Sequence, residues 1–265
     1  MEPTTLKRTK INLAWVLAIY LALMGTKALF VQTEKTVGFI LWLQEIGLDI
    51  AALYLLLPFL SSRSQSLFGK APLDRRAYQL LTGSMIATIT SSTTYQVLSR
   101  IFGWTLPKAM GTPIELVINI PYMAFFLFGL LALVRGLIKG PRPSRILFTV
   151  ILSLGLLGVT ALLFSSPLSA TGFPLQNQVL HWVCFTLECA VVAVACMNIL
   201  ERSRKLRYVS LGYASIAISG YLFQITEIYK GVSFLDFPVD TSWTLGQLLL
   251  VLGLSFKQSR APQTA

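Results

Sequence analysis

Apolar residues along this chain come in long runs parted by short polar gaps, and the runs have the length of a membrane-crossing helix, about 20 residues. Eight windows qualify: 11–31, 37–60, 77–98, 114–134, 145–165, 178–200, 207–229 and 239–257. The eighth is diluted by Asp240, Ser242 and Gln247, yet the charge pattern needs it, because without it Lys257 and Arg260 would fall on the wrong side. The gaps leave no room for a soluble domain, and only Gly140 to Pro143 and Ser165 to Pro174 read as Pro/Gly-rich loops. The pattern therefore predicts an all-α fold: a polytopic helical bundle of eight transmembrane helices, one domain over 1–265 with short tails at 1–10 and 258–265. The first run has a basic leader but no A-x-A site after it, so it reads as a retained helix rather than a cleaved signal peptide.

Charge gives the bundle its direction. Seventeen of the 22 Lys and Arg residues fall into every second gap: Lys7, Arg8 and Lys10, then the groups around Arg75–Arg76, Arg142 and Arg204, then Lys257 and Arg260. Only Lys27, Lys35, Arg100, Lys108 and Lys230 lie at the opposite ends. Basic residues are held on the cytoplasmic side during insertion, so both termini are expected inside, in a multi-pass protein of the cell membrane, the inner membrane if the cell has two. The net charge of +11 is thereby explained by orientation and by contact with anionic lipid, without nucleic acid. Composition agrees, with 12% charged residues where a soluble domain carries about 25%.

Charged groups at membrane depth are costly and mark function by default. Glu45 and Asp49 lie one turn apart on the second run. Glu115, Asn119 and Tyr122 form a stripe on the fourth, and His181, Cys184 and Glu188 another on the sixth. Gln224 and Glu227 lie near the outer end of the seventh. With the orientation above, nearly all belong to the outer half, which suggests a polar cavity opening outward and closed toward the cytoplasm by apolar side chains. Glu115, Glu227, Asp236 and Asp240 also fit a headgroup location. Glu45 and Asp49 are the sharper candidates for a ligand or proton site, because two carboxylates so deep repel unless a proton or cation lies between them.

Other chemistry finds little support. With one histidine in the chain, neither a closed zinc site nor bis-histidine haem ligation is expected, and no cofactor is predicted. Cys184, Cys189 and Cys196 share one run at spacings that forbid a bridge along a straight helix. Phosphate-binding, metalloprotease, nucleophile-elbow and dinucleotide fingerprints are all missing, so a non-enzymatic role is expected. Ser84, Thr88, Ser91 and Tyr95 recur at helical spacing on the third run, which points to a central helix packed by small side chains.

Two segments carry a resemblance. IELVINIPYMAFFLFGLLALVRG (114–136) starts acidic, contains a Tyr and ends in G-L-x-x-L-x-R. DFPVDTSWTLGQLLLVLGLS (236–255) has D-x-x-W-x-x-G-x-L-L at Asp240, Trp243, Gly246, Leu248 and Leu249. Both resemble the multi-helix sensor regions that precede output domains in bacterial membrane-bound diguanylate cyclases, phosphodiesterases and sensor kinases. The resemblance implies a sensor or receptor-like module in signal transduction. Because no output domain follows the last run before Ala265, it implies relay to a separate signalling output protein. The competing expectation is a secondary transporter coupling protons or cations through Glu45 and Asp49; an intramembrane enzyme acting on lipid has the least support.

Overall fold

The computed structural model describes Ala18, Ala22 and residues 34–57, 60, 75–101, 112–138, 143–170, 172–200, 203–229 and 236–256. These residues form seven helices and no strand: α1 (Glu34–Leu56), α2 (Arg75–Ile101), α3 (Pro113–Ile138), α4 (Pro143–Ala170), α5 (Leu175–Ile199), α6 (Arg204–Ile228) and α7 (Asp236–Ser255). Each occupies a predicted window; the first window, 11–31, lies outside the described residues apart from two helical alanines. Four stretches are long and apolar enough to cross a membrane: Pro113–Gly136, Pro143–Ala170, Leu175–Ile199 and Arg204–Thr226.

Helix ends follow local chemistry. Thr112 caps α3, its hydroxyl accepting from Ile114 N at 3.3 Å, and Pro113 takes the first helical position, where a missing N–H costs nothing. Ser203 caps α6 in the same way through Leu206 N. Between α4 and α5 the chain reverses at Gly172, whose φ of 72° is open to glycine at no steric cost.

One boundary departs from the sequence pattern. The stretch Ser165 to Ala170 reads as loop because of Pro167, yet α4 continues through it. A mid-helix proline frees the carbonyl four residues earlier, here that of Leu163. Tyr229 Oη donates to that carbonyl at 2.9 Å, and Ser169 Oγ donates to the carbonyl of Ser165 at 2.8 Å. Backbone groups are satisfied by side chains, and the helix survives its proline.

Side-chain contacts set the directions. Ser84 reaches Phe125 O and Ser91 reaches Ile118 O, so α2 and α3 run antiparallel. Thr112 and Glu115 meet Asn177 while Leu133 meets Asn198, so α3 and α5 run parallel. Ser215 reaches Ser242 O and Ser219 reaches Val239 O, making α6 and α7 an antiparallel pair. Helix contacts close a circuit, α1–α2–α3–α5–α6–α7 and back to α1, with α4 docked outside it on α5. The core inside this circuit is built on Tyr78, Leu81, Phe125, Phe126, Leu133, Val209 and Tyr213. Buried Ser84 and Thr88 place the polar stripe of α2 against neighbouring helices, as its spacing predicts. α4 instead shows Leu147, Leu154 and Leu162 outward along its length.

Candidate functional site

At one end of the bundle the polar residues of α3, α5 and α6 meet. Glu115 sits in the first turn of α3, and Asn177 and His181 in the first two turns of α5. Gln224 lies in the last turns of α6, which runs the opposite way. Asn177 Nδ2 donates to Glu115 Oε2 at 2.5 Å and to Thr112 O at 3.4 Å. His181 Nε2 lies 3.1 Å from Glu115 Oε1, out of line for a hydrogen bond but at ion-pair distance. The other ring nitrogen, Nδ1, is 3.2 Å from Gln224 Oε1. Gln224 Nε2 then donates to both oxygens of Glu188, each at 3.1 Å. Tyr122 Oη donates to Glu188 Oε1 at 2.8 Å and closes the chain back onto α3.

This run of contacts, Asn177–Glu115–His181–Gln224–Glu188–Tyr122, is buried except at Tyr122, which is half-buried. Glu115 and Glu188 are each 1% exposed and Asn177 is wholly buried. An unpaired buried polar group costs about 2–7 kcal/mol, so such residues persist only where partners meet them. The donor inventory also fixes protons. Gln224 gives its amide hydrogens to Glu188, so its oxygen faces His181 and can only accept; Nδ1 is therefore the protonated nitrogen. Nε2 then faces a carboxylate oxygen, an arrangement that is attractive only with a proton on one of the two.

Packing keeps the chain in place. The Phe173 ring, set by the turn at Gly172, stacks over His181 with centroids 5.8 Å apart and planes 18° apart. Tyr122 stacks on Trp243 of α7 at 6.3 Å, linking a fourth helix to the network. Gly220 of α6 faces the Tyr122–Glu188 pair so closely that a Cβ there would overlap Tyr122 Oη and lie 2.6 Å from Glu188 Oε1. A glycine makes the space in which the two groups bond.

Glu115, His181, Glu188 and Gln224 are thus brought together. Glu115 is buried and bonded across helices to Asn177. Asn119 is half-buried and stands outside the chain of contacts. Glu227 lies on α6 three residues beyond Gln224, and its side chain is outside the described residues. Asn177 and Gly220 were not singled out in the sequence. Asn177 precedes the sixth apolar window, and nothing in the pattern distinguishes Gly220 from the other glycines.

Asp49 belongs to a second place. It is 2% exposed in the α1–α7 interface, where Gln247 Nε2 donates to its Oδ1 at 3.1 Å and to the carbonyl of Glu45 at 3.4 Å. Asp49 Oδ2 and Gln247 Oε1 have no hydrogen-bond partner among the described residues. Each such orphan costs about 1–3 kcal/mol. Glu45 is half-buried and contributes its backbone oxygen here, so the partner of Asp49 is an amide from α7. Lys27, the cation within reach by sequence, lies outside the described residues.

The opposite end of the bundle is not wholly apolar. Asn198 donates to Leu133 O at 3.1 Å, and buried Lys205 lies 5.6 Å from the centre of the Tyr78 ring. Among the described residues, no three His, Cys, Asp or Glu side chains are placed to hold a metal ion. No protein-family model, curated protein or solved structure matches the chain.

Proposed function

We propose that the protein is a membrane-embedded sensor or receptor-like module of eight spans with both termini cytoplasmic, whose sensing element is the Glu115–His181–Gln224–Glu188 chain. The observation that carries this reading is that one continuous set of buried polar contacts ties α3, α5 and α6 together at a single end of the bundle. With the basic ends of the helices held in the cytoplasm, that end is the outward-facing one. A chain in which each group uses its neighbour's proton or lone pair has few arrangements. A ligand or a proton that takes one partner forces the others to repair. Because the groups sit on three separate helices, repair moves helices, and their far ends carry the change to a separate output protein.

The reading is tested by distance, not by activity. Spin labels placed at Arg135, at the end of α3, and at Arg207, at the start of α6, report the far end of the bundle by pulsed dipolar spectroscopy. In nanodiscs, Glu188→Gln and His181→Gln should each shift or broaden the label-to-label distribution relative to the unaltered chain. Unchanged distributions in folded variants would show that the network is a local brace, and the sensor reading would fall. Radiolabelled ion uptake into proteoliposomes separates this from the transport alternative, which requires flux that Asp49→Asn abolishes.

A further inference from the structure

The α1–α7 interface holds a second set of buried polar atoms, and their inventory does not close. Gln247 has two amide hydrogens, and both are committed, one to Asp49 Oδ1 and one to the carbonyl of Glu45. That commitment fixes the amide orientation and leaves its oxygen, Oε1, facing no donor. The second carboxylate oxygen, Asp49 Oδ2, is in the same position. Both residues are 2% exposed. Two acceptors from side chains already bonded to each other therefore lie in one buried place, one of them formally charged.

We propose that Asp49 Oδ2 and Gln247 Oε1 form a binding site for one monovalent cation, a proton or a sodium ion. A single positive centre between two oxygen acceptors satisfies both and neutralises the carboxylate. A proton would do so by completing an acid–amide ring, with Oδ2 donating to Oε1 while Nε2 donates to Oδ1. A sodium ion would do so as an oxygen-ligated hard cation. Divalent ions fit poorly, because the single buried carboxylate matches one positive charge and a second would stay buried and uncompensated. Among the described residues, the titratable groups that interact with Asp49 include Glu45 from α1 and Tyr213 from α6, whose hydroxyl is committed to Ser84. α7 adds Asp240 two turns from Gln247, and α2 offers buried Ser84 and Thr88, hydroxyls rather than charges. The site is separate from the α3–α5–α6 chain and does not rest on its being a sensor.

Thermal unfolding of the full chain in nanodiscs tests this, with NaCl, KCl and choline chloride compared at fixed ionic strength from pH 5 to 9. If sodium is the occupant, the midpoint rises by a few degrees and saturates with NaCl but not with choline chloride. If a proton is, the midpoint follows pH without regard to sodium, and an infrared carboxylic-acid band is lost in Asp49→Asn. In both cases the response should vanish in Asp49→Asn, which keeps size and one hydrogen bond but removes the charge. Should that variant fail to fold, Gln247→Met takes its place. It removes the whole amide, Oε1 together with the Nε2 donor to Asp49, and should move the half-saturation concentration, or the equivalent proton concentration, by at least about tenfold. A midpoint indifferent to both cations, or a response that survives intact in these variants, overturns the proposal.

Discussion

Gly220 is the residue on which the polar chain depends most directly, although it has no side chain to contribute. A methyl at this position would overlap Tyr122 Oη and crowd Glu188 Oε1. Gly220→Ala should therefore destabilise the folded protein by about 1–3 kcal/mol, the usual range for overpacking a tight contact. Tyr122→Phe removes the hydroxyl that the methyl meets. Alone it should cost about 1–2 kcal/mol by taking a donor from a buried carboxylate. Combined with Gly220→Ala it should cost clearly less than the sum of the two, because the clash and the lost bond share one atom. Denaturation midpoints of the four proteins check this, and strict additivity would show that the two residues do not meet. The sequence makes half of this site legible. Glu115, His181, Glu188 and Gln224 stand out because charge and amide groups are rare at membrane depth. Gly220, Asn177 and the Asp49–Gln247 pairing do not, because periodicity assigns a residue to a face and says nothing of which helix that face meets. Tyr122 and Glu188 are 66 positions apart, and only the packed bundle makes them partners.

Between elements, small residues decide which helices touch and which face outward. Along α6 and α7, Gly212, Gly246 and Gly253 lie where an added Cβ would meet the opposing backbone, as with Gly246 against the Gly212 carbonyl at 2.7 Å. Ser215 and Ser219 add hydrogen bonds across the same seam. Close backbone approach and such bonds hold this helix pair together, in the way that small residues join helices in lipid. Gly246→Leu should therefore separate the pair, with a loss of at least about 2 kcal/mol measured by unfolding in mixed micelles. Gly155 of α4 meets nothing, and Gly155→Ala should be neutral or stabilising by up to about 1 kcal/mol, since alanine is the better helix former. Equal effects at the two positions would mean that α6–α7 packing is not what the glycines serve. At this scale the apolar runs were enough to find every described helix, because hydropathy acts locally. The passage of α4 through Pro167 was not legible, because the hydroxyl of Tyr229 that answers the freed Leu163 carbonyl comes from just past the end of α6, 66 residues on.

Over the whole molecule, the two ends of the bundle differ in charge chemistry. Arg75, Arg76, Arg135, Arg145, Arg204 and Arg207 belong to the ends of α2 to α6 that meet around Asn198 and Leu133. Glu115, Asn177, His181 and Gln224 belong to the other end. Each basic residue near an anionic leaflet gains about 1 kcal/mol, which is the ground for the proposed orientation with the basic end in the cytoplasm. The orientation is tested in a chain with its three cysteines replaced by serine or alanine, carrying one new cysteine at an exposed position. Ser144→Cys, at the start of α4, marks the basic end, and Gln176→Cys, in the first turn of α5, marks the polar-network end. A membrane-impermeant maleimide added to intact cells should label Gln176→Cys and leave Ser144→Cys unmodified, while inverted vesicles should give the reverse. Labelling of both from one side would mean that α4 does not cross, and a reversed pattern would put the polar network in the cytoplasm. The reversed pattern would end the reading of that network as an outward-facing sensor, because the Glu115–His181 contact would then answer to the cell's own interior.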